Sequence, residues 1–82
     1  MNILRRKDKE FFLMTKKEEK RRNAEYQRRL SEMQDIREQL RCAYTAFDNT
    51  TDRDMMDACI FEINALKARY NSAVINVKNF FQ

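Results

Sequence analysis

Residues 53–80 read RDMMDACIFEINALKARYNSAVINVKNF, without a glycine or a proline. Within this stretch Met56, Cys59, Ile63, Leu66, Tyr70, Ala73, Val77 and Phe80 alternate three and four positions apart without a break. That spacing places all eight on one side of an α-helix, because side chains three and four apart stack on the same face. The stretch is therefore expected to form one helix from about Arg53 to about Phe80. A second series, Ala58, Phe61, Ala65, Ala68, Ser72 and Ile75, repeats the same spacing two residues out of step. At 100° per residue it lies roughly opposite the first series. Asp57, Asn64, Asn71 and Lys78 separate the two on one flank, and Glu62, Arg69 and Asn76 on the other. A helix apolar on two sides is normally sandwiched between two neighbours.

Working upstream, a partner for one of those sides is evident. Back from Phe47, apolar residues fall at Ala43, Leu40, Ile36, Met33 and Tyr26, with Arg29 the one interruption. This is a stripe of heptad type on a second helix. Between the two stripes lies Asp48-Asn49-Thr50-Thr51-Asp52, a cluster of turn and cap residues. Asn49 is expected to take positive φ where no glycine is present. Asp52 or Thr51 can cap the second helix, and Thr51 with Asp54 has capping-box spacing. Asp54 and Asp57 suit the positive end of its dipole. Folding about this turn sets Leu40 near Cys59, Ile36 near Ile63, Met33 near Leu66 and Tyr26 near Ala73, as an antiparallel pair.

The fold class expected is all-α: a long antiparallel helical hairpin over residues 24–82, turning near 48–52, with a basic N-terminal arm over residues 1–23. Eighty-two residues suffice for one domain, and glycine and proline are absent from the whole chain, which argues against the many turns of an all-β fold. A lone two-helix hairpin buries little surface. Either residues 1–14 pack as a third piece or a second copy completes the core.

Charge separates arm from body. Residues 1–29 carry eleven Lys/Arg and five Asp/Glu, while residues 30–82 carry six and eight. The cations that matter are Arg5, Arg6, Lys7, Lys16, Lys17, Lys20, Arg21 and Arg22, with Phe11 and Phe12 among them. Three readings follow. Cations and rings can hold nucleic acid, they can meet an anionic membrane surface, or the arm is a solvated helix whose Phe11-Phe12-Leu13-Met14 folds back on Phe80 and Phe81. Charge pairs at helical spacing, Glu18 with Arg22 and Glu25 with Arg29, favour a solvated helix through residues 15–25.

The chemistry of catalysis is missing. The sequence has no histidine, hence neither the commonest general base nor the commonest zinc ligand. No glycine-rich phosphate loop is present. The acidic turn Asp48, Asp52, Asp54, Asp57 lacks the glycine and closing glutamate of a calcium loop. Cys42 and Cys59 do not form a disulfide framework and read as buried structural thiols of a cytoplasmic protein. The apolar run at residues 11–14 is too short for a signal peptide or a membrane span. We expect no enzyme, no cofactor, no metal site and no small-molecule substrate.

From Ile36 to Lys78 the chain resembles the YaaL-like proteins of unknown function from Firmicutes. The resemblance rests on Ala43 and Phe47, Thr51-Asp52, the pair Ile60-Phe61, Asn64-Ala65, Ala68-Arg69-Tyr70 and Lys78, about half the chain. Family members usually carry a proline after the turn aspartate, where this chain has Arg53. The resemblance implies a short cytosolic helical protein with no assigned activity and no established site. The functional expectation is a non-enzymatic interaction module, a homo-oligomer or the binder of another protein, using Ala58, Phe61, Ala65, Ala68, Ser72 and Ile75. The alternative is a nucleic-acid-binding accessory protein using the basic arm.

Overall fold

A computed structural model describes residues 6–81, with side chains described at Leu13 and from Thr15 to Phe81. The chain forms two helices packed as an antiparallel hairpin: α1, Arg6–Asn49, and α2, Arg53–Asn79. The all-α hairpin expected from the spacing is what forms. Its long dimension is 79 Å. At 1.5 Å per residue α1 spans about 66 Å and α2 about 40 Å, so α1 outruns its partner.

The connection is shorter than the expected turn: Thr50, Thr51 and Asp52 lie between the helices. Asp52 is the cap, in extended conformation (φ −78°, ψ 121°). Its Oδ1 accepts from the Asp54 amide at 3.0 Å, and its carbonyl accepts from the Met56 amide at 2.9 Å. The Asp52 amide donates to the Thr50 hydroxyl at 3.3 Å. The expected positive φ at Asn49 does not occur; among the described residues none has positive φ. α1 keeps its right-handed turn through Asn49, and Thr50, Thr51 and the extended Asp52 reverse the chain without a left-handed residue.

The core is one strip along the hairpin. Ile36, Ala43, Ile63, Leu66 and Ala73 are buried together, with Met33, Leu40, Phe47 and Tyr70 half-buried against them. Cys59 is buried beside this strip. The two stripes read from the sequence therefore close on each other, but not in the expected register. Tyr26, expected opposite Ala73, packs against Phe80 instead, with ring centroids 5.3 Å apart and the rings tilted at 44°, and meets Phe81 at 5.4 Å. At the other end Tyr44 and Phe47 share a hollow with Ile60 and Ile63. The partner of Tyr26 thus lies seven residues further along α2 than expected, and Arg29 meets Asn76. The physical reason is apolar matching. In the expected register Phe80 would face Glu19 and Val77 would face Arg22; the slip brings Phe80 down to Tyr26 and keeps Phe47 against α2.

Arg29, the polar interruption in the stripe, acts as a cross-brace. Its guanidinium donates to the Asn76 carbonyl on α2 at 2.8 Å and to Glu25 at 2.9 Å, and lies 5.7 Å from the centre of the Phe80 ring. The last turn of α2 is tight: the Phe80 amide donates to Val77 and the Phe81 amide to Lys78, each at 3.2 Å. Arg29 thus satisfies a carbonyl at a helix end and brings positive charge to the negative end of the dipole.

Two further expectations are overturned. α1 is one unbroken helix from Arg6, so the segment at 11–14 does not fold back on Phe80 and Phe81 and is not a third helix; the Leu13 side chain is 58% exposed. The side chains of Phe11, Phe12 and Met14 lie outside the described residues. Cys42 is exposed and only Cys59 is buried. Cys42 precedes the seam residue Ala43, and one helical step turns it about 100° from the seam.

Candidate interaction surfaces

α1 covers one side of α2 and leaves the opposite side bare. Ala58, Phe61, Ala65, Ala68, Ser72 and Ile75 are all exposed, Phe61 at 75% and Ile75 at 55%. Their seam counterparts, such as Leu66 at 3%, are buried. All six predicted residues are brought onto one face, two large side chains with four small ones between and beside them. Among the described residues nothing in the chain covers this face.

The total exposed surface carries the same message. The chain exposes 7294 Å², whereas a compact monomer of 10.0 kDa exposes about 5200 Å². Part of the excess is the projecting part of α1, where Lys17, Lys20 and Arg21 are exposed. The remainder includes the bare side of α2.

The sequence reading missed a second apolar patch. Tyr44 and Ile60 are exposed at the seam edge near the turn, where with Phe47, Ile63, Asn64 and Lys67 they line a hollow. Lys67 Nζ lies 5.8 Å from the centre of the Tyr44 ring. Tyr44 and Ile60 each adjoin a stripe residue, Ala43 and Cys59. That adjacency was the available signal: it marks residues that widen a seam.

The basic arm is the part of α1 beyond the end of α2. Arg5 lies outside the described residues. Arg6 and Lys7 stand in the first turn of α1, and their side chains are not among those described. Lys17, Lys20 and Arg21 share one face with Ala24 around a shallow hollow. Arg22 faces elsewhere: its guanidinium sits 4.8 Å from the centre of the Phe80 ring. Lys16 pairs with Glu19 at 3.7 Å. The eight predicted cations are thus not gathered into one stripe; three of the described ones share a face, and Glu18 and Glu19 interrupt the rest.

Further along α1 the charges are paired. Glu25 accepts from Arg28 at 2.7 Å and from Arg29 at 2.9 Å. The hydrogen bond from Arg28, then that from Arg29, holds its carboxyl at about 2, below the usual 4.5. Glu38 is lowered in the same direction by Arg41, which donates to it at 2.6 Å. These are helix-supporting pairs rather than poised acids and bases. Among the described residues no group of three or more His, Cys, Asp or Glu is placed to hold a metal ion, and no helix is long and apolar enough to cross a membrane. No family model, no curated protein and no solved structure matches the chain.

Proposed function

We propose that this chain is a non-enzymatic helical interaction module that self-associates through the outer face of α2 and presents its basic arm to an acidic partner. The observation that carries the reading is the exposure of Phe61 and Ile75 on the side of α2 that α1 cannot reach. Large apolar side chains flanked by Ala58, Ala65, Ala68 and Ser72 let another helix approach closely and still bury apolar area, while the polar flanks form a rim. A cytoplasmic setting, in which Cys42 stays a thiol, and membership of the YaaL-like group belong to the same reading.

Sedimentation equilibrium tests it. The parent protein should be a dimer or larger at micromolar concentration. Ala68→Glu, which sets a charge at the centre of the face, should yield a folded monomer, because an unpaired charge is expensive to bury. A parent that stays monomeric at high micromolar concentration ends this reading.

The second reading is nucleic-acid binding by the arm. It is favoured by Lys17, Lys20 and Arg21 sharing one face of a projecting helix. A gel-shift titration at two salt concentrations decides it: binding through phosphates is tight at low salt and falls steeply as salt rises.

A further inference from the structure

The bare face of α2 has an internal symmetry that specifies how a second copy would seat. Along α2 the face runs Ala58, Phe61, Ala65, Ala68, Ser72, Ile75. It reads small, large, small from one end and large, small, small from the other. Laid antiparallel on itself about a point between Leu66 and Lys67, it sets each large side chain on a small one. Phe61 falls on Ser72 of the other copy and Ile75 on Ala58, while Ala65 and Ala68 meet at the centre, where the backbones come closest. This is the alternating contact of an antiparallel two-helix seam.

The flanks obey the same symmetry independently. In antiparallel packing each flank meets its own copy. On one flank Glu62 then faces Arg69 of the second copy, and Arg69 faces its Glu62. On the other flank Asp57 faces Lys78, and Asn64 faces Asn71, each twice. Every charge on the rim meets its opposite. Shifting the register by one heptad sets Glu62 on Glu62 or Arg69 on Arg69, and a parallel arrangement sets Asp57 beside Glu62. Asp57, Glu62, Arg69 and Lys78 make no ion pair within the chain among the described residues. Asp57 and Lys78 also suit the two ends of the α2 dipole, but Glu62 and Arg69 stand mid-helix, where the dipole gives them no role.

We infer that the occupant of this face is a second copy of the chain, seated antiparallel about a two-fold axis between Leu66 and Lys67, with reciprocal Glu62–Arg69 and Asp57–Lys78 pairs at its rim. The inference rests on the self-association proposed above and adds its orientation and register. Such a dimer is isologous and closes after two copies. It is a four-helix layer with the two α2 helices inside, the two α1 helices outside, and the basic arms at opposite ends.

Two measurements on the full chain test it. The first is a charge reversal read by sedimentation, after circular dichroism confirms parent helicity. Glu62→Arg and Arg69→Glu, each alone, should weaken association about tenfold, since each creates two like-charge contacts at the rim. The double variant should return to within about twofold of the parent, because it restores both pairs in reverse. The second is a nitroxide at Thr51→Cys in a Cys42→Ser background, read by double electron–electron resonance. Thr51 lies near one end of α2, so antiparallel seating sets the two labels about 45 Å apart along the axis at 1.5 Å per residue, whereas parallel seating brings them within about 20 Å. A parent that is monomeric ends the self-association reading and this one with it. A dimer with close labels, or one whose double variant is no tighter than the single ones, leaves self-association standing and overturns the antiparallel seat.

Discussion

The two sides of α2 are nearly alike as sequence and opposite as structure. Each carries apolar residues three and four apart over most of the helix. Leu66 on one side is buried, while Phe61 on the other is exposed. The difference does not come from the residues themselves. It comes from α1, which is one unbroken helix and can lie against only one side. Periodicity identifies surfaces that need cover; it does not say which of them a single chain can supply. The seam side differs at its far end, where Phe80 and Phe81 meet Tyr26 of α1, whereas the outer side is richer in alanine and suits a helix of its own kind.

The sharpest way to break this comparison is to make equal truncations on both sides. Leu66→Ala or Ile63→Ala on the seam should cost about 2–5 kcal/mol in denaturant unfolding. Ile75→Ala on the outer side, in protein dilute enough to be monomeric, should change stability by less than about 0.5 kcal/mol. Equal costs on both sides would mean that the outer face is covered within the chain.

A smaller effect sharpens the register. A double-mutant cycle between Tyr26 and Phe80 should return a coupling of about 0.5–1.5 kcal/mol, as expected for a ring pair. A cycle between Tyr26 and Ala73→Gly should return none. Coupling at the second pair would restore the register that spacing alone suggested.

The smallest effect is electrostatic and belongs to the junction of seam and arm. Glu25 titrates at about 2 when folded, held down first by Arg28 and then by Arg29. A carboxyl lowered on folding stabilises the protein fully above its ordinary value and loses that contribution as pH falls through the folded one. Thermal stability should therefore be flat above about pH 5 and decline between 4.5 and about 2. Glu38 declines in the same direction, so the informative quantity is the difference between the parent and Glu25→Gln. That difference should shrink as pH falls; a difference independent of pH would show that the Glu25 pairs do not bear on folding.

Much of this was legible in the residues. The unbroken spacing from Met56 to Phe80, the matching stripe back from Phe47, the cap residues near Asp52 and the opposed outer face all follow from the 3.6-residue period and from local backbone chemistry, which need no knowledge of neighbours. Three features required the tertiary structure. The register could not be read because a heptad pattern is unchanged by a seven-residue slip; only the fit of Phe80 against Tyr26, rather than against Glu19, selects one setting. The role of Arg29 could not be read because its acceptor is a backbone carbonyl 47 positions away, and backbone atoms leave no trace in side-chain pattern. The exposure of Cys42 was already implied by the stripe, which assigns the adjacent Ala43 to the seam. The continuity of α1 through residues 11–14 depended on whether a short apolar run could fold back, and a run of helix formers beside charged neighbours keeps its helix unless a partner draws it away. Sequence by itself determined the helices and the faces they present. The tertiary structure decided which face found its partner inside the chain, because that depends on how far and how straight a single helix can reach.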